Sequence, residues 1–154
     1  FDLMADYQFV RQNGFPYGLL DADRKYAAHP NTNRQGNYKR NMLNTGLNVN
    51  YAADWADLTY TASWQYLNDD MLMDIDYRPL DFMHMQEKQL QNTITQELML
   101  KSHQLGIWQG TTGLFFSHQW LKTDAPVFFD TDMNKFLSKT IEDYAYYGML
   151  NSMA

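Results

Sequence analysis

The side chains best suited to chemistry form an acidic cluster in the middle of the chain: Asp69, Asp70, Asp74, Asp76 and Asp81. Carboxylates gathered in one loop can hold a cation or contact a polar ligand, and Asp74 and Asp76 have the spacing of the first ligands of a calcium loop. The glycine and the later glutamate of such a loop do not follow. We therefore expect a solvated loop tip, in which Asp74, Asp76 and Tyr77 are the candidate ligand-binding residues.

The remaining reactive side chains do not assemble into a centre. The histidines have no metal-ligand spacing, so we expect them to be exposed or at a rim: His29, His84, His103 and His118. The methionines near the acidic cluster are expected to pack that loop: Met71, Met73, Met83 and Met85. Glu97 is expected to pair with a neighbouring strand. The sequence has no cysteine, serine elbow, phosphate loop or metalloprotease helix. We expect no catalytic, cofactor-binding or metal-ligating residue, and no enzyme.

The composition indicates a surface that is apolar on one side and wet on the other. Aromatic residues make up 16% of the chain and charged residues only 19%, whereas soluble domains carry about 25% charged residues. The net charge of −6 argues against a nucleic-acid partner, because phosphate binding requires clustered Lys and Arg. No apolar run approaches the length of a transmembrane helix.

Five segments alternate apolar and polar side chains with the period of two that indicates β-strands. They cover approximately residues 2–11, 40–52, 57–67, 92–101 and 107–121. The third is the clearest, with one face apolar and aromatic: Leu58, Tyr60, Ala62, Trp64 and Tyr66. Its other face is polar: Thr59, Thr61, Ser63 and Gln65. The alternation predicts a sheet with one apolar and one polar face.

The links between these segments alternate in length. Residues 12–39 and 68–91 and the stretch after 122 form long links, while residues 53–56 and 102–105 form short ones. This pattern is typical of outer-membrane barrels, which have short periplasmic turns and long extracellular loops. A short helix is expected at about residues 134–147, after a possible cap at Asn134.

The length of the segments favours a membrane barrel over a soluble sandwich. Several run to ten residues or more, which suits a transmembrane strand of about 9–11 residues. We expect six aromatic residues at the membrane interface: Tyr51, Trp55, Trp64, Tyr66, Trp108 and Trp120. Trp108 and Trp120 are predicted to share one face of the fifth strand, at a separation of roughly 28 Å along the membrane normal. The fold expected is an all-β, antiparallel transmembrane β-barrel, present in part as about five long strands with long extracellular loops.

Several short motifs in order resemble the barrel of TonB-dependent outer-membrane receptors. They are Asn37-Tyr38-Lys39-Arg40, Ser63-Trp64-Gln65-Tyr66, Asp74-Ile75-Asp76-Tyr77, Thr95-Gln96-Glu97-Leu98, Thr112-Gly113-Leu114-Phe115-Phe116 and Asp124-Ala125-Pro126-Val127. The resemblance covers approximately residues 37–129. It implies that residues 1–154 are a sector of the barrel domain, without the plug domain, and that both chain ends lie within a longer protein.

The resemblance also implies a function. Such receptors import a scarce ligand of the siderophore, cobalamin or glycan class across the outer membrane of a Gram-negative bacterium. The implied partners are the lipid bilayer, the remaining strands and plug, the TonB complex through that plug, and a small-molecule or glycan ligand. A passive porin or structural barrel is a second possibility, and a soluble β-rich binding module is a third.

Overall fold

The computed structural model describes residues 1–21, 23, 25–104 and 106–152, with side chains described as far as Gly148. Eight strands precede a C-terminal helix. They are β1 (Asp2–Asn13), β2 (Leu20–Asp21), β3 (Tyr26–Ala27), β4 (Asn37–Ala52), β5 (Ala56–Asp74), β6 (Met83–Ser102), β7 (Thr111–Asp124) and β8 (Val127–Phe129); the helix is α1 (Thr131–Ser152). The predicted all-β antiparallel architecture is confirmed.

The main sheet is open. Its strands follow the order β1-β4-β5-β6-β7, and β8 pairs with β6 beyond β7. Met83 pairs with Phe129 and Met85 with Val127 in that antiparallel register. β2 and β3 form a separate hairpin, in which Leu20 pairs with Ala27. From β4 to β7 each strand therefore pairs with the next one along the chain, whereas β1 pairs with β4 and β8 pairs with β6.

Two strands are much longer than predicted. β5 has 19 residues and β6 has 20, so the predicted long link at 68–91 is wrong and the turn between them covers only residues 75–82. The acidic residues of that segment concealed the strands, because Asp69 and Asp70 break the apolar alternation. Polar residues continue a strand at low cost when neighbouring strands supply the backbone hydrogen bonds.

Other boundaries also differ from the prediction. Trp108 lies before β7, in the link that precedes Thr111, so the prediction that it shares a strand with Trp120 is wrong. The two glycines Gly106 and Gly110 interrupt the strand there, and Gly106 has a positive φ of 68°. The helix begins at Thr131 and places the predicted cap Asn134 inside its first turn. No described helix is long and apolar enough to cross a membrane.

The chain divides into two compact units. The first comprises Phe1–Val10, Lys39–Asp70 and Lys88–Thr123; the second comprises Arg11–Tyr38, Met71–Glu87 and Asp124–Ala154. Among the residues whose burial is described, the only buried apolar side chains are Ala56 and Leu67, both in the first unit. A soluble domain of this length encloses a core between two layers. The first unit instead is a single-layer sheet whose large apolar side chains, apart from Leu67, are partly or fully exposed.

Candidate functional site

A ladder of amide and hydroxyl side chains covers the polar face of the first unit. Asn48 donates to Thr61 over 3.0 Å, and Gln65 donates to Asn44 over 2.8 Å. Thr59 donates to Asn50 over 2.9 Å. These three bonds share one register, which places Leu47 directly opposite Ala62 on the other face of the sheet.

The polar ladder extends to the neighbouring strands. Ser63 on β5 is hydrogen-bonded to Thr95 on β6, and Asn44 on β4 donates to Asp6 on β1. The segregation of the two faces predicted for the second and third segments is therefore confirmed.

The same polar face also carries an ion pair between β4 and β5. The Arg40 guanidinium donates to both carboxylate oxygens of Asp69 at 3.1 and 3.2 Å. Only 9% of Asp69 is exposed, which corrects the prediction that this residue lies at a solvated loop tip. A two-point Arg–carboxylate contact fixes the register of β4 and β5, since it requires a defined geometry on both strands.

The opposite face of the first unit is an apolar surface that is partly to fully exposed, here called the apolar band. Its members come from all five long strands: Leu3, Leu43, Leu47, Val49, Leu58, Tyr60, Ala62, Trp64, Ile94, Leu98, Leu114 and Phe116. Leu47, Ala62 and Ile94 line one shallow depression on it. Gln96, on the same alternation as Ile94 and Leu98, is a polar and exposed exception.

One end of the apolar band has a row of aromatic side chains, here called the aromatic row: Tyr7, Tyr66 and Trp120. Backbone bonds from His103 to Trp55 and from Ser102 to Gly110 fix the registers of β5 with β6 and of β6 with β7. In these registers Asn92 on β6 lies opposite both Tyr66 on β5 and Trp120 on β7. The bond between Asn44 and Asp6 places Tyr7 on β1 opposite Leu43 on β4, which itself lies opposite Tyr66, so the three aromatic side chains form one row across the sheet.

Beyond the aromatic row the same face becomes polar on three of the five long strands, while β1 and β6 carry Phe9 and Leu90 there. The next positions on β4, β5 and β7 are Asn41, Asn68 and Lys122. Tyr7 donates its hydroxyl to Asn41, so its polar tip points toward this side while its ring borders the apolar band. Trp64, on the adjacent position of β5, donates its indole N–H to Asn92. Tyrosine and tryptophan take this orientation where an apolar region meets water.

The other end of the apolar band lies near the short links. Tyr51 ends β4, and Trp55 and Trp108 lie in the two short links; their exposed fractions are 63%, 57% and 75%. Trp55 precedes Tyr66 by eleven residues. At about 3.3 Å per residue, this separation is roughly 36 Å along the strand. Five of the six predicted interface aromatics thus lie at the two ends of the band, and Trp64 lies one position inside it.

The second unit brings together two of the three candidate ligand residues. Asp74, Tyr77 and Met73 line one cleft of about 310 Å³, together with Phe15 and Arg34. Asp74 is only 4% exposed and accepts the backbone N–H groups of Arg34 and Asp76. Burial, followed by repulsion from Asp76, raises the pKa of Asp74. Asp74 is therefore a buried structural carboxyl, contrary to the predicted solvated tip.

Asp76 does not line the cleft, because its carboxylate organises the turn between β5 and β6. It accepts the backbone N–H groups of Arg78, Phe82 and Met83 at 2.8–3.2 Å. Next to it, Tyr77 has a positive φ of 54°, which is uncommon for a bulky residue and is maintained here by the capped turn. Asp76 thus holds the turn that carries Tyr77, and it lies outside the residues that line the cleft.

Asp81 links the turn to the start of α1. Its carboxylate accepts bonds from Asn33 and from the backbone N–H of Thr131, while its own N–H donates to Asp132. Desolvation would raise the pKa of Asp81, but the hydrogen bonds from Asn33, Thr131 and Arg34 outweigh it and lower the pKa. An anion at the first turn also complements the partial positive charge of the helix.

His29 and His118 are exposed as predicted and His103 is partly exposed, whereas His84 is not. His84 lies 2.6 Å from Asp130 and stacks on Phe128, with its side chain only 14% exposed, so the prediction of an exposed residue is wrong for it. His103 contacts the carbonyl oxygen of Asp54 and then Asp57, and these contacts raise its pKa. His118 packs between Phe116 and Trp120. Among the described residues, no three His, Asp or Glu side chains form a metal-ion site.

Sequence reasoning missed Phe15, which lines the cleft, and Tyr17, which does not line it but whose ring contacts Phe15 and Tyr77. Phe15 and Tyr17 lie in the long link after β1, and their rings are nearly parallel, with 6.1 Å between centroids. Tyr77 meets Tyr17 edge-on at the same distance. Turn residues on both sides of Phe15 made this segment look like an ordinary loop. Comparison with known proteins finds no match to a family model, to a curated protein or to a solved structure.

Proposed function

We propose that this chain is a sector of the wall of an outer-membrane β-barrel, belonging to a TonB-dependent importer. The observation that carries the proposal is the exposed apolar band of a single-layer sheet, bordered by aromatic side chains at both ends. An exposed apolar surface of this extent in water favours association or aggregation. In a bilayer, an apolar band about 25 Å tall between aromatic girdles is the outer surface of a transmembrane barrel. At the strand tilt of about 45° of such barrels, the eleven residues from Trp55 to Tyr66 would span roughly 26 Å along the membrane normal, which is close to that height.

The polar ladder supports the same proposal from the other side of the sheet. Most of its groups are amides and hydroxyls bonded to one another, and its charged members, Asp6, Arg40 and Asp69, are hydrogen-bonded within the sheet, which suits a wet interior or contact with a plug. The open edges β1 and β7 require further strands, because each unpaired backbone group in lipid costs several kcal/mol. The proposed assignment as an importer, rather than a passive barrel, rests on the sequence resemblance.

Paired cysteine variants of the full-length protein test the membrane assignment. Neighbouring positions on opposite faces serve as matched controls: Leu47→Cys with Asn48→Cys, and Ala62→Cys with Thr61→Cys. We expect a lipid-phase maleimide to label positions 47 and 62, and a small water-soluble reagent to label 48 and 61. Equal aqueous labelling of both faces, in a protein recovered without detergent, would instead identify a soluble binding module.

A second measurement separates active import from passive passage. Uptake of the imported ligand by whole cells should depend on TonB. Deletion of TonB should abolish this uptake while leaving the protein in the outer membrane. Uptake that persists without TonB would identify a porin, although the cysteine pattern would be unchanged.

A further inference from the structure

Two polar side chains lie within the apolar band where it is formed by β6 and β7. On β6, Gln96 follows Asn92 by four residues, so the two side chains share one face of the sheet. On β7, His118 precedes Trp120 by two residues and shares its face for the same reason. The register of β6 with β7 makes Gln96 and His118 diagonal neighbours, with about 7–8 Å between their Cα atoms. Both are exposed.

These two side chains differ from other polar members of the same face in their hydrogen bonding. Thr45 donates to the carbonyl oxygen of Trp64 at 3.3 Å, and Asn92 accepts the indole N–H of that tryptophan. Gln96 and His118 form no hydrogen bond within the described part of the chain. An amide or an imidazole that stays unpaired in hydrocarbon costs free energy. Gln96 and His118 therefore need a partner from outside the sheet.

The surroundings of the pair are apolar and leave it accessible. The His118 ring lies between two aromatic neighbours on its own strand, edge-on to Trp120 with 4.1 Å between ring centroids and within 6° of parallel to Phe116. Phe116 and Leu114 remain 56% and 75% exposed. The pair is thus a small polar centre within an apolar surface. Between membrane-embedded proteins, polar side chains in such a setting hydrogen-bond across the contact, and an ionisable side chain at this depth indicates a functional site.

The partner of this polar centre must come from outside the barrel. In the proposed barrel, further strands join the sheet at its edges and leave the apolar band facing outward. Acyl chains offer neither a donor nor an acceptor, whereas a neighbouring protein offers both. The amide and the neutral imidazole each carry a donor and an acceptor. An identical surface related by a two-fold axis can therefore satisfy both side chains, because such a contact requires a surface that is complementary to itself.

We propose that Gln96 and His118 form the centre of a contact between two copies of this protein in the outer membrane. The two-fold axis runs along the membrane normal, and the amide and imidazole of one copy hydrogen-bond with those of the other. The proposal rests on the proposed function, since this contact requires that the apolar band lies in the bilayer. It assigns the part of the band on β6 and β7 to a second copy, and it leaves the part on β4 and β5 to lipid.

Energy transfer between labelled copies tests this contact. The full-length protein is labelled in two batches, with a donor or an acceptor dye, and both are reconstituted into phosphatidylcholine vesicles over a range of protein-to-lipid ratios. We expect energy transfer above the level of random proximity. Gln96→Leu and His118→Phe should each weaken association about tenfold, because each removes hydrogen bonds on both sides of the two-fold axis. The phenylalanine keeps an aromatic ring at position 118.

Thr45→Val is the matched control, because it also replaces a polar side chain of the apolar band but lies on β4 and is bonded within the sheet. It should leave association unchanged. Unfolding at high dilution in lipid, where the copies are apart, gives a second readout. Gln96→Leu should then be more stable than the native protein, because it removes an unpaired amide from hydrocarbon. A variant that is merely misfolded would lose stability and association together.

The outcomes separate the contact from the barrel that it requires. Native protein without energy transfer above random proximity, or equal transfer in all variants, would overturn the contact between copies. Such a result leaves the barrel standing when the lipid-phase reagent still labels position 47. Loss of that labelling would overturn the barrel itself, and the contact with it.

Discussion

The strongest test of whether the apolar band faces a membrane, as proposed, is a charge placed at its centre by Ala62→Arg. Ala62 lies on the apolar band opposite Leu47, four residues from Tyr66 and seven from Trp55. With about 3.3 Å per residue and a tilt near 45°, it lies roughly 9 Å from the aromatic row and 16 Å from the other end, within about 4 Å of the middle of the band.

At that depth an arginine on the lipid face costs about 2–4 kcal/mol. Ser63→Arg is the control on the polar face. It removes the hydrogen bond between Ser63 and Thr95, which contributes about 0.5–1.5 kcal/mol, but it leaves the new charge in a wet interior. We therefore expect Ala62→Arg to be the more destabilising of the two by about 1–3 kcal/mol.

The measurement is equilibrium unfolding of the full-length protein in lipid vesicles by guanidinium chloride, with heat-modifiable mobility on gels reporting the folded fraction. Gln96→Leu gives a second arm with the opposite sign. It replaces the one amide found in this part of the apolar band, and should stabilise the protein by about 1–3 kcal/mol if the face meets lipid. Equal effects of the two arginine variants, together with no gain from Gln96→Leu, would refute the assignment of this face.

Three further predictions concern topology and the second unit. An epitope inserted between Arg78 and Pro79, both exposed, should be reached by antibody on intact cells. An epitope inserted within residues 53–56 should be reached only after the outer membrane is opened. The reverse result would show that the orientation is inverted. The pKa of Asp81 is lowered in the folded protein, so its stabilising contribution is present above the usual pKa of about 3.9 and is lost as pH falls through the lower folded value. The difference in unfolding temperature between the native protein and Asp81→Asn should therefore shrink from about pH 6 to about pH 3. A constant difference would contradict the reasoning. Gly36→Ala should displace the Phe15 ring and lower the unfolding temperature, because the added Cβ would lie 2.6 Å from that ring and 2.7 Å from the Leu72 carbonyl oxygen; an unchanged unfolding temperature would contradict this.

Local sequence determined the alternation of the strands and the segregation of their faces. Leu47 and Asn48 lie on opposite faces for the same reason that any neighbours in a strand do, since the side-chain period is two. This rule also assigned Ala62 and Thr61 correctly, and it placed the short link at 53–56, where the Ala53 N–H donates to the Ala56 carbonyl oxygen. These features depend on neighbours along the chain, so the sequence alone was sufficient for them.

Tertiary structure decided where the strands end and which polar side chains are buried. β5 continues to Asp74 because β4 and β6 supply partners on both sides, and Asp69 is buried because Arg40 lies across from it. The cleft likewise joins Phe15 to Tyr77, residues far apart in sequence whose contact depends on the pairing of distant strands. A local pattern cannot encode such pairing, since the free energy of a polar group depends on the partners that surround it in the folded chain.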